Sequence, residues 1–125
     1  MKIRMILYCF VIVLVTGISG CGGGNRELKK DATAFADAMC RNMEAMQKLR
    51  ATPPADTLNI RKFQAERNRI DAEMTGLYEA FKKKYGAKAE VPEFTSEYRK
   101  YLNEAMLECK FLSKEDRVIF ERQVK

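Results

Sequence analysis

The sequence predicts an all-α fold: an up-down-up three-helix bundle with a short fourth helix at the C-terminus. Three observations predict it. Apolar residues recur at steps of three and four through three long segments. Pro53-Pro54, Gly86 and Pro92 punctuate the chain between those segments. Residues suited to helix starts (Asn25, Asp56 or Thr57, Pro92-Glu93 and Ser113) stand at the expected boundaries.

The first helix is expected from about Arg26 to Arg50, with Asn25 as N-cap. Leu28, Ala32, Phe35, Met39, Met43 and Met46 draw its apolar stripe, and Cys40 lies beside that stripe. Thr52-Pro53-Pro54-Ala55-Asp56 ends the helix in a stiff connection. The second helix is expected from Thr57 to Tyr85. Its stripe, Ile60, Phe63, Arg67, Ile70, Met74, Leu77 and Phe81, is an a/d heptad pattern sustained for three heptads, with Arg67 as its single break. Gly86 suits the position that terminates it.

Pro92 and Glu93 open a third helix. Its stripe is Phe94, Tyr98, Tyr101, Ala105, Cys109 and Leu112, widened by Leu102 and Met106. Ser113 and Asp116 read as a variant capping box that starts a last helix, Lys114 to Val124, packing through Val118, Ile119 and Phe120. A kinked continuation of the third helix fits the same residues. Short connections make successive helices antiparallel, so the first and third run the same way. Cys40 and Cys109 then stand at similar height.

The N-terminus reads as an export signal. Lys2 and Arg4 precede an unbroken apolar run of ten residues, Ile6 to Val15, followed by Thr16 to Gly20, which are small or weakly polar apart from Ile18. That run is too short for a spanning helix, which needs about 20 apolar residues. The segment Ile18-Ser19-Gly20-Cys21 resembles the lipobox of bacterial lipoproteins. The resemblance covers residues 1–21 and implies cleavage before Cys21, acylation of its thiol and amine, and anchorage to a membrane by those chains. Two or three acyl chains make a stable anchor, at about 0.8 kcal/mol per buried methylene. Gly22 is not the aspartate that favours retention at the inner membrane in enteric-type bacteria, so the resemblance implies the outer membrane. The domain would then stand in the periplasm or at the cell surface. The chain divides into a signal peptide (1–20), a lipidated cysteine with a Gly-rich tether (21–25) and one helical domain (26–125).

On that reading the four cysteines reduce to two, because Cys9 is removed and Cys21 acylated. Cys40 and Cys109 remain in an oxidising compartment, where a Cys40–Cys109 disulfide is expected. It would close a loop of 69 residues, worth about 4 kcal/mol in loop-closure entropy.

Loss of Lys2 and Arg4 lowers the formal charge from +6 to +4 over 105 residues. The densest cluster is Lys82, Lys83, Lys84 and Lys88. For an exported chain, anionic lipid, lipopolysaccharide or peptidoglycan are the electrostatic partners to expect, not nucleic acid. The same lysines also complement a helix C-terminus.

The chain has no histidine, which removes the usual general base near neutral pH and the commonest metal ligand. No glycine-rich phosphate loop is present, since Gly22 to Gly24 follow the lipobox and not a strand. The residues nominate no catalytic group, no cofactor and no metal ion. Met39, Met43 and Met46 share a face beside Cys40. That pattern suits core packing, a groove for a partner helix, or soft ligation of Cu(I). Arg67 has three readings: stem packed with its head in water, paired with Glu104 or Glu108, or exposed in a binding seam. Together Met39, Met43, Met46 and Arg67 form the candidate partner groove. Tyr78, Tyr85, Tyr98 and Tyr101 with Phe81 make an aromatic-rich region, either a core rim or an interface anchor.

The expectation is a small lipid-anchored envelope protein that acts by binding a protein partner. In architecture it resembles the secretion pilotins, short helical lipoproteins that capture a helical segment of a secretin, although no pilotin motif is matched. The alternative is a structural lipoprotein that contacts the cell wall.

Overall fold

The computed structural model describes residues 21–125, with side chains from Asn25 onward. The export signal and the Ile18-Ser19-Gly20 run lie outside the described residues, as does the side chain of Cys21.

All the described elements are helical. They are α1 (Cys21–Ala51), α2 (Thr57–Tyr85), a 3-10 segment (Gly86–Glu90), α3 (Pro92–Leu107) and α4 (Lys114–Val124). Helix α1 starts at Cys21, so the glycine run expected as a tether falls on its first turn and Asn25 lies inside it instead of capping it. Asp56 caps α2, accepting from the Asn59 backbone N–H at 3.2 Å. Gly86 ends α2 with φ +52°, a conformation open to glycine. Its N–H donates to the Lys82 carbonyl.

The third helix is shorter than its stripe. It stops at Leu107, and Cys109 and Leu112 are buried in the turn that follows. This corrects the expectation that both lie on the helix. The fourth helix is separate, not a kinked continuation. Ser113 Oγ accepts from the Asp116 N–H at 3.0 Å and donates to its carboxylate at 2.7 Å. Arg117 reinforces the turn by donating to the carbonyls of Leu107 and Cys109.

Helix α1 is the spine. Both α2 and α3 pack along it, the backbones of α2 and α3 make no close approach to each other, and α4 rests on α3. Two apolar clusters therefore form on two faces of α1. On one, Ala38 and Ala45 meet Ile70, with Met74 and Leu77 at the edge. On the other, Ala36 meets Met106, Cys109 and Leu112, with Met39, Met43, Leu102 and Phe120 around them. The single stripe expected on α1 is thus replaced by two, and its deepest residues are alanines. The physical reason is position: a helix sandwiched between two others needs small side chains on both faces so that backbones can approach.

Polar contacts fix the register. Arg41 binds Glu73 through two nitrogens, at 2.6 and 3.0 Å, and Asn42 donates to Asp71 at 2.7 Å. Lys84 bridges Glu27 and Asp31, both at 2.8 Å. The Cys40–Cys109 disulfide is present and ties α1 to the turn after α3. Gln47 donates to the Phe111 carbonyl of the same turn at 3.0 Å.

Candidate functional site

The end of α2 and the start of α3 are built to bring aromatic rings together. Phe81 and Tyr85 are one turn apart on α2, and Phe94 and Tyr98 are one turn apart on α3. Gly86 and the 3-10 segment return the chain between them. Phe81 stands 4.5 Å from Tyr98 and 4.8 Å from Tyr85, centroid to centroid, and Tyr85 lies 4.9 Å from Phe94. These tilted rings bridge α2 and α3 where their backbones do not meet, at spacings favoured for aromatic pairs.

The rings leave a cleft of about 600 Å³. Phe35 of α1, Tyr78 and Phe81 of α2, Ala89 of the 3-10 segment, and Thr95 and Tyr98 of α3 line it, with Lys82 and Glu90 adding one charge of each sign. Lys82 stands 4.6 Å over the Tyr78 ring and pairs with Glu79 at 2.8 Å. Tyr78 is 54% exposed, so the cleft presents an aromatic edge to solvent. A smaller cavity of about 70 Å³ lies next to it, sharing Phe35, Phe81 and Tyr98 and reaching Asp31 and Lys84.

One polar network supports the cleft from the α1 side. The Tyr85 hydroxyl donates to Asp31 at 2.6 Å beside the Lys84 ammonium. Burial, then the bond to Asp31, pushes the Tyr85 phenol up to about 12. Burial also raises Tyr98. The bonds to Asp31 and Glu27 hold Lys84 well above an ordinary lysine. The cleft is therefore largely apolar, with Lys82 and Glu90 as the charged groups of its lining and Lys84 paired with Asp31 in the smaller cavity beside it. Such a lining offers an apolar or amphipathic group mainly van der Waals and aromatic contacts.

The residues nominated for a methionine groove are not gathered into one. Met39 and Met43 pack on the cluster between α1 and α3. Met43 and Met46 line a cavity of about 240 Å³ with Gln47, Arg50 and Phe111. Arg67 is half-buried on α2, outside that lining. Among the described residues its guanidinium has no carboxylate within 4.0 Å, so the pairing with Glu104 or Glu108 is absent. Its Nε is buried without a partner, as is the Asn42 Oδ1. Cys40 is in the disulfide and supplies no thiolate for the copper reading.

Sequence reasoning marked the aromatic region but missed the cleft. Phe35 was marked only as part of the α1 stripe, and Ala89 and Thr95 carried no signal, because three separate elements bring these residues to the cleft. Tyr101, grouped with the cleft aromatics by sequence, donates instead to Glu97 at 3.1 Å on its own helix. Among the described residues no helix is long and apolar enough to cross a membrane. Comparison with family models, with curated protein sequences and with solved structures finds no match.

Proposed function

We propose that this chain is a small lipid-anchored protein of the bacterial envelope, an up-down-up helical bundle that acts by binding a protein partner. The cleft of Phe35, Tyr78, Phe81 and Tyr98 is its docking surface. Acyl chains on Cys21 supply location, at the outer membrane by the lipobox resemblance, and the bundle supplies recognition. The observation that carries the reading is the cleft itself. Its volume of about 600 Å³ and aromatic walls suit one or two apolar side chains of a partner helix. Lys82 and Glu90 at the rim can then fix orientation by charge. Pilotin-like capture of a helical segment is the architectural analogy. It favours the aromatic cleft over the methionine stripe because the aromatic edge is open to solvent.

A photo-crosslinking amino acid at Tyr78, introduced in native cells, tests this. The expected result is one dominant envelope protein crosslinked at Tyr78, reduced at least tenfold by Phe81→Ala, since anchor residues of an interface typically contribute about 2 kcal/mol or more. Leu58, 78% exposed at the opposite end of α2, is the control position and should give no such product. Cys21→Ala should reduce the yield by removing the protein from the membrane. Products consisting of self-crosslinks or wall fragments alone would sink the protein-binding reading in favour of a structural lipoprotein.

A further inference from the structure

Fold topology brings three separate basic stretches to one end of the molecule. The Lys84 bridge to Glu27 and Asp31 sets the start of α1 beside the end of α2. Arg26, Lys29 and Lys30 of α1 therefore share this end with Lys83 of α2 and Lys88 of the 3-10 segment. Among the described residues none of these five cations has a carboxylate within 4.0 Å. The carboxylates nearby are largely committed: Glu27 and Asp31 hold Lys84, and Glu79 holds Lys82. Glu90 and Glu93 remain, and Lys84 answers two carboxylates at once, so the seven cations of this end outnumber its five carboxylates by two. At the tip, the Val91 N–H donates to the Lys88 carbonyl, and Val91 is 43% exposed, an apolar side chain three residues after Lys88 and between Glu90 and Glu93 in sequence.

We propose that this end is a cationic face that lies against an anionic phospholipid surface, with Val91 entering the headgroup layer. The lysine run read in sequence as a helix-end complement thus becomes part of a surface assembled from α1, α2 and the 3-10 segment. The proposal rests on the lipid-anchor reading for the direction in which the bilayer lies. Cys21 is six residues before Glu27 on the same helix, about 9 Å along its axis. Cations at that distance lie within about one Debye length of the surface at physiological salt. Charge complementarity and an exposed apolar tip are the two features of an interfacial contact. A basic patch beside acyl chains would orient the domain, so that the bundle stands up from the membrane.

The chain has no tryptophan, so Val91→Trp gives a reporter without background. The full protein, extracted from membranes and reconstituted, is compared in neutral phosphatidylcholine vesicles and in vesicles with about one-third phosphatidylglycerol. The expected result is a blue-shifted emission, quenched by brominated lipid, in the anionic vesicles alone and reversed by 0.5 M salt. Joint replacement of Lys29, Lys30, Lys83 and Lys88 by Gln should abolish most of the shift. Each basic residue at an anionic surface is worth roughly a fivefold change in partition. Leu58→Trp, at the far end, should show no shift in either vesicle. Equal emission of Val91→Trp in both vesicles, or an equal shift at Leu58, overturns the proposal. Intact mass of the same preparation separates the two readings. A chain without acyl mass refutes the anchor, while its shift in anionic vesicles still decides for or against the basic face.

Discussion

At the scale of single residues, the Cys40–Cys109 bridge is the largest covalent constraint. It joins α1 to a turn that has few backbone hydrogen bonds of its own, and Cys109 is buried there. Cys109→Ser should lower stability by about 4 kcal/mol under oxidising conditions, by loop-closure entropy. In a domain of this size that is a loss of roughly 20 °C in melting temperature. In reductant the variant and the parent should melt together. Calorimetry in both conditions checks this, and equal losses in both would mean that Cys109 acts by packing alone. The bridge also decides chemistry, because a disulfide leaves Cys40 without nucleophile or ligand character.

Among the elements, α2 shows how a heptad pattern and actual burial diverge. Of its stripe, Ile70 alone is fully buried, between Ala38 and Ala45. Phe63 and Phe81 are half-buried because α2 leans on α1 and does not close against α3. Ile70→Ala should therefore cost about 2–5 kcal/mol. Leu58→Ala, on the same helix but largely exposed, should stay within about 0.5 kcal/mol. Urea denaturation of both variants measures this. Similar small losses would show that α2 is held by its polar contacts and not by the Ile70 cluster. The heptad spacing was legible in sequence. The depth of each position was not, because the spacing specifies a face and says nothing of how closely a neighbour approaches it.

For the whole molecule, ion pairs fasten α2 along α1 at two levels, Arg41–Glu73 in the middle and Lys84 with Glu27 and Asp31 at the end. Hydrogen bonds from Lys84 and Arg41 hold the Glu27 and Glu73 carboxyls below the ordinary value of 4.5. A lowered folded-state value means that the unfolded chain takes up the proton first. The stabilisation is present above about pH 4.5 and is lost as pH falls through the lower folded values. The melting temperature should decline on acidification through that window, and 0.5 M salt should flatten the decline, since these pairs are exposed. Glu73→Gln should flatten it further. A melting temperature unchanged down to pH 3 would remove these pairs from the account. Tyr85, raised to about 12, works in the opposite sense and favours the fold until pH rises through 10 to 12.

Within this chain, periodicity and punctuation determined the helices. Asp56 as a cap, Gly86 as a stop, Pro92 as a start and Ser113 with Asp116 as a cap are local chemistry, read from a few neighbouring residues, and so were legible. The pairing of Cys40 with Cys109 was legible too, because it followed from counting cysteines on the export reading. Only the tertiary structure decided that α1 carries two apolar faces, that α3 stops before Cys109, and that aromatic rings from three elements enclose a cleft while the methionines are divided. Each of these depends on which helix stands beside which, and on how closely. That is set by the sum of many small contacts between residues far apart in the chain, and no local pattern encodes it.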